Sequence, residues 1–121
     1  MLRKYIKEKY AMSKLTKIAD TTVTLKANVY FDGKVVSHTI ENKDGTKQTI
    51  GLIYPGSYNF NTGAPERMDI IAGSCKVRVK GQSAWAEYKE DAFFEVPGKS
   101  SFEIVVEKGI AEYLCSYGEG K

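Results

Sequence analysis

Residues 92–107 read AFFEVPGKSSFEIVVE, two short apolar runs hinged at Pro97-Gly98. In the second run Phe102, Ile104 and Val106 fall on one face of an extended chain, and Glu103 and Glu107 fall on the other with Val105. The run CKVRVK (75–80) alternates in the same way. Cys75, Val77 and Val79 point inward, and Lys76, Arg78 and Lys80 point outward, so Arg78 reads as a solvated charge. Upstream and downstream the pattern repeats in TVTLKANVY (22–30), KVVSHTI (34–40), QTIGLIY (48–54), SYNFN (57–61), MDIIA (68–72), WAEYKE (85–90) and AEYLCSY (111–117). These runs are rich in Val, Ile, Tyr, Phe and Thr, which suit a pleated surface. Turn residues separate them, among them Asp32-Gly33, Asp44-Gly45, Pro55-Gly56 and Lys108-Gly109. Ten short strands, each with one dry face, predict an all-β sandwich or barrel closed over a single core.

The chain of 121 residues is of single-domain size. Its 42% hydrophobic and 27% charged residues are those of a globular protein, and no apolar run is long enough to span a membrane as a helix. The net charge of +3 is unevenly placed. Residues 1–20 carry six basic and two acidic side chains, net +4, leaving 12 basic against 13 acidic, net −1, for the rest. The expected organisation is a basic leader over 1–20, with residues 1–11 outside the fold, and one domain over 21–121. A nucleic-acid binder would carry its basic patch on the fold itself, so that class is set aside. With no signal-peptide pattern in the leader, the expected location is the cytoplasm. No membrane partner is expected.

Chemistry is constrained by what the chain has. Cys75 and Cys115 lie 40 positions apart in apolar runs and read as small hydrophobes. His38 is the lone histidine and reads as a solvent-facing strand residue. A phosphate loop, a dinucleotide fingerprint and a Ser/His/Asp constellation are all missing. So is the set of three or four ligands that zinc or iron requires.

The densest stretch is Tyr54 to Met68, which sets aromatics, hydroxyls and a Glu66-Arg67 pair between two strands. Within it, Phe60-Asn61-Thr62 is followed by three residues, Glu66, six residues and Gly73. This resembles the first motif of cupins, small jelly-roll barrels, in which His-x-His precedes the Glu and Gly. The second cupin motif, Pro-x-Gly-x-x-His, is represented by Pro97-Gly98-Lys99-Ser100-Ser101-Phe102. The histidine positions are held by Phe60, Thr62 and Phe102. The resemblance therefore implies a cupin-like jelly roll without metal, its mouth lined by two phenyl rings, a hydroxyl and a carboxylate.

A narrower resemblance covers Asn28 to Tyr117. Tyr30-Phe31-x-Gly33-Lys34-Val35, Pro55-Gly56-x-Tyr58-x-Phe60-x-Thr62, Pro65-Glu66-Arg67-Met68, Ile71-x-Gly73, Trp85, Phe94-x-Val96-Pro97, Ser100-x-Phe102 and Tyr113-Leu114-Cys115 follow the order and spacing of the cupin-fold pyrimidine/purine nucleoside phosphorylases. Asp91 departs from that pattern, standing where a Gly is usual. The resemblance implies phosphorolysis, in which inorganic phosphate attacks the anomeric carbon of a purine or pyrimidine nucleoside and releases free base and α-D-ribose 1-phosphate.

Side chains suited to that chemistry follow. Glu66 is a candidate to accept from ribose hydroxyls or steady the developing positive charge. Arg67 is a candidate for bidentate phosphate contact, with Lys34 and Lys99 as second choices. Tyr58, Phe60 and Phe102 are candidates to stack the base, with Thr62 among the binding residues. Tyr113, Cys115 and Tyr117 share one face and read as packing. The expected co-substrates are nucleoside and phosphate, with no cofactor. The rival readings are a non-catalytic jelly-roll module binding a sugar or nucleoside, and a metal-dependent cupin, which the missing histidines disfavour. Exposed sheet edges make a homodimer the expected assembly.

Overall fold

The protein is described here by a computed structural model covering residues 15–118. The expectation for residues 1–11 lies outside that range. Among the described residues, apart from one tight turn at Phe31–Gly33, the regular structure is eleven strands. They are β1 (Thr21–Val23), β2 (Asn28–Tyr30), β3 (Val35–Asn42), β4 (Lys47–Ile53), β5 (Gly56–Asn61), β6 (Glu66–Ala72), β7 (Ser74–Val79), β8 (Ala86–Lys89), β9 (Phe93–Val96), β10 (Ser101–Val106) and β11 (Ala111–Tyr117).

All pairings are antiparallel and form two sheets. The larger runs β1-β3-β4-β11-β6-β9, with β2 also paired to β3, and the smaller runs β5-β10-β7-β8. The inward faces meet in one core. Val35, Ile53, Ile70 and Val96 come from the large sheet, and Val77, Ile104 and Val106 from the small one, each no more than 2% exposed. The two-layer all-β architecture expected from the alternation is what forms.

Three details of the strands and their flanks matter. The run 22–30 is two strands and not one. Val23 pairs with Ile40 and Asn28 with Ser37, so four residues, Thr24 to Ala27, lie opposite only His38 and Thr39. The surplus loops outward and leaves Leu25 87% exposed. Second, β6 starts at Glu66, two residues ahead of the expected Met68, because Glu66 and Arg67 already pair with Val96 and Glu95 of β9. Third, residues 15–18, assigned to the leader, lie along the outer face of the large sheet.

Asp91 sits at φ 72°. That is the left-handed region, which costs a non-glycine residue ~1–2 kcal/mol, partly offset on replacement by the greater freedom of an unfolded glycine. Asp91→Gly is therefore expected to stabilise the fold by roughly 0.5–1 kcal/mol and raise the melting temperature by a few degrees. A melting temperature at or below that of the wild type contradicts this account of the turn.

Candidate functional site

The chain leaves the small sheet after Asn61 and enters the large one at Glu66. This crossover places the Phe60 ring and the Glu66 carboxylate on facing walls of one cavity of about 180 Å³. From Glu66 the strand alternates, so Glu66, Met68 and Ile70 face inward and Arg67 and Asp69 face the other side. Arg67 Nε lies 3.2 Å from Asp69 Oδ2, and its guanidinium carbon sits 3.8 Å from the centroid of the Phe93 ring. Arg67 is thus held on the outer face of the sheet and does not line the cavity. The expectation that it works beside Glu66 fails on geometry, since neighbours on a strand point to opposite faces.

The polar wall of the cavity comes largely from residues without a role in the sequence reading. Tyr117 of β11 stands directly opposite Glu66 in register, and its hydroxyl lies 3.3 Å from Thr49 Oγ1. Tyr113 pairs with Gly51, which pairs with Ser37. A Cβ at Gly51 would lie 2.9 Å from the Tyr113 hydroxyl and 2.8 Å from the Ser37 Cβ. The missing side chain is what lets the phenol reach across β4 toward Ser37. Asn28 Nδ2 donates to Ser37 Oγ and Thr39 Oγ1, each at 3.2 Å, and so steadies this row from β2. Hydroxyls from Ser37, Thr49, Tyr113 and Tyr117 therefore converge with one carboxylate, a set matched to a polyol. The alternation of residues 113, 115 and 117 already placed them on one face; their partners were set by the long-range pairing of β11.

Glu66 receives one hydrogen bond from the described residues, donated by Cys115 Sγ at 3.6 Å. A thiol is a weak donor. Burial pushes the Glu66 pKa above the ordinary carboxylate range, and the thiol contact opposes this only in part. Burial also raises the Cys115 thiol to about 12 and the Tyr113 phenol to about 12. Both therefore act as neutral donors at physiological pH. Glu66 is the carboxylate of the cavity lining.

The apolar wall is a chain of rings. Phe60 and Phe102 pair across β5 and β10 and stack at 5.6 Å with planes 26° apart. Phe102 is 3% exposed, and its far side meets Phe94 edge-on at 5.7 Å. Tyr58 is also buried, and its hydroxyl donates to the Tyr54 carbonyl at 2.7 Å and the Pro55 carbonyl at 3.0 Å. It packs the loop and does not line the cavity. Thr62 Oγ1 donates to the Pro97 carbonyl at 2.7 Å and accepts from Ser100 N–H at 2.9 Å. Its hydroxyl ties down the Pro97–Ser100 turn, and Thr62 is not among the residues lining the cavity. Lys34 and Lys99 are exposed. Lys34 closes the turn that begins at Tyr30, and Lys99 lies two residues before Ser101, the partner of Asn61. Tyr30, Asn61 and Tyr117 are the exposed members of the lining and mark where the cavity opens.

The cavity does not fit the metal that cupins commonly hold. Two of the positions expected for histidine carry phenyl rings, and the third carries a hydroxyl engaged by backbone. Among the described residues no group of three or more His, Cys, Asp or Glu side chains comes together. A second, larger groove of about 520 Å³ lies on the outer face of the large sheet, lined by Val36, Ile50 and Leu52 among others. It is mainly aliphatic and does not include Glu66.

Comparison with known proteins agrees with this architecture. Residues 25–117 match the family described as pyrimidine/purine nucleoside phosphorylase. A protein of that name from Thiobacillus denitrificans is 48% identical over 104 residues, covering 86% of this chain and 100% of its own length. One from Dechloromonas aromatica is 52% identical over 99 residues, covering 82% of this chain and 95% of its own length. Among solved structures, a protein of unknown function (DUF1255) from Acinetobacter sp. ADP1 superposes with a TM-score of 0.82 at 38% identity, covering 84% of this chain and 98% of that one. Oxalate decarboxylase from Bacillus subtilis superposes at 0.66 with 14% identity, over 90% of this chain and 32% of that one, a likeness of cupin fold alone. The sequence match across both sheets and the shared double-sheet barrel lead to one conclusion: this chain belongs to the pyrimidine/purine nucleoside phosphorylase family.

Proposed function

We propose that the protein catalyses phosphorolysis of purine and pyrimidine nucleosides, with Glu66 as the catalytic carboxylate. A phosphate oxygen forms a bond to the anomeric carbon as the carbon–nitrogen bond breaks. The electron pair of that bond leaves with the base, which takes up a proton, and α-D-ribose 1-phosphate is the other product. The observation that carries the reading is the pairing of one under-solvated carboxylate with four hydroxyls in a cavity walled by rings. The hydroxyls and Glu66 suit the ribose. An ionised Glu66 facing the ring carbon stabilises positive charge there as the base departs. Among the described residues no Lys or Arg lines the cavity, so phosphate is received from outside it, with Lys34, at the end of the turn that begins at Tyr30, and Lys99 as the candidate cations.

Independence from metal belongs to the same proposal, supported by the non-ligating side chains at the three expected histidine positions. So do a cytoplasmic location and a homodimer, the latter because strands such as β5, β8 and β9 end their sheets with one side unpaired. The test is release of free base from adenosine, guanosine, inosine and uridine, with and without phosphate and after dialysis against chelator. Release that requires phosphate and survives chelation is expected. No release, or release indifferent to phosphate, overturns the reading in favour of a nucleoside-binding module.

A further inference from the structure

The cavity is small for a whole nucleoside. Its 180 Å³ falls below the ~300–1,000 Å³ of pockets that enclose a drug-sized ligand. A nucleoside whose sugar meets Glu66 therefore leaves its base toward the opening. Phe102 and Tyr58, expected to stack that base, are 3% and 5% exposed and offer it no free face.

Two other rings stand at the opening. Tyr30 lines the cavity, and Tyr30 and Phe31 are 47% and 44% exposed. Both rings touch Phe60, Tyr30 edge-on at 6.1 Å and Phe31 edge-on at 5.4 Å, and Phe31 also packs on Tyr58 at 5.0 Å. Consecutive residues of a strand would face opposite sides. Here they meet the same ring because the backbone turns sharply: Phe31, Asp32 and Gly33 have φ values of 51°, 57° and 90°. A bulky residue in the left-handed region is rare, and such a conformation persists only where its surroundings hold it. The cost is borne at the one place that sets two exposed aromatic side chains beside the mouth of an acidic, hydroxyl-lined cavity.

We infer that Tyr30 and Phe31 form the base subsite, holding a flat aromatic heterocycle by its face outside the sugar cavity. The inference rests on the phosphorolysis reading. Ring faces do not read the edges of a base, so such a subsite accepts one-ring and two-ring bases alike.

The test compares wild type with Tyr30→Ala, Phe31→Ala and Phe31→Gly, using adenosine and uridine at saturating phosphate and α-D-ribose 1-phosphate as inhibitor. Glycine adopts the left-handed turn freely, so Phe31→Gly keeps the loop while removing the ring. The expected result is a rise in KM of at least about fivefold, larger for adenosine because its base has the larger face. In Phe31→Gly inhibition by α-D-ribose 1-phosphate stays unchanged, because Phe31 is not part of the cavity lining. Nucleoside KM values within twofold of wild type in folded Phe31→Gly and Tyr30→Ala overturn the inference. So does a parallel weakening of α-D-ribose 1-phosphate in Phe31→Gly, which a merely structural role would give. If wild type itself releases no base with phosphate, the phosphorolysis reading fails separately. The subsite is then decided by titrating free adenine and following the ring signals of Tyr30 and Phe31 by NMR. Perturbation supports it and silence overturns it.

Discussion

Replacing Glu66 with glutamine is expected to lower phosphate-dependent base release about 100- to 1,000-fold, the loss found when a single preorganised electrostatic group is removed from an active site. The fold is expected to survive and to be more stable at neutral pH. The amide keeps the shape and the hydrogen-bonding reach of the side chain but cannot ionise. In the native protein, burial raises the Glu66 pKa, with the Cys115 thiol opposing only in part. In the unfolded chain the group titrates near ~4.3. Between these values the native state binds more protons than the unfolded state, so stability falls as pH rises through that window. Above it the penalty is fully present. Melting curves of wild type and Glu66→Gln should therefore converge at the acid end and separate as pH rises, with the variant higher. Wild-type activity should climb over the same window, because the ionised form is the catalytic one. A variant that melts below wild type at pH 8 would show that Glu66 is held by stabilising contacts and not kept short of them.

Gly51→Ala is expected to damage both the sheet and the site. The added Cβ would lie 2.5 Å from the Val36 carbonyl oxygen, 2.8 Å from the Ser37 Cβ and 2.9 Å from the Tyr113 hydroxyl. The first contact is with backbone in a paired strand and has no cheap escape. Overpacking of this kind costs ~1–3 kcal/mol. The third contact pushes the phenol out of the groove across β4, so base release should fall even in the fraction that is folded. Gly51→Ala combined with Tyr113→Phe should melt higher than the sum of the two single effects predicts, since the phenylalanine removes one of the clashing atoms. Strict additivity, or a Gly51→Ala protein that melts with the wild type, would mean that the phenol does not occupy that groove.

The same two residues mark where reading the sequence stops. Gly51 lies in an alternating run, and nothing local distinguishes it from a weak point in a strand. Its purpose appears only when β11 is laid beside β4 and the hydroxyl of Tyr113, 62 positions away, comes to rest over it. Arg67 shows a different failure. Its neighbour Glu66 looked like a partner, but the strand begins two residues early, and period-two geometry then sends the pair to opposite faces. Thr62 was read among the binding residues, and its hydroxyl is engaged by the Pro97–Ser100 turn outside the cavity lining. Phe60, Phe102 and Glu66 were read onto one cavity and do line it.

Alternation and turn chemistry by themselves determined that this chain is a two-layer all-β barrel and which face of most strands is dry, because both are properties of a few consecutive residues. The spacing of Phe60, Glu66 and Phe102 carried the family resemblance for the same reason. Only the tertiary structure decided that the hydroxyl-bearing Ser37, Thr49, Tyr113 and Tyr117 line one cavity with Glu66, and that Arg67 is excluded from it. Those facts depend on strand register and on where the chain passes from one sheet to the other. Register is fixed by pairings between distant segments, which no local pattern encodes.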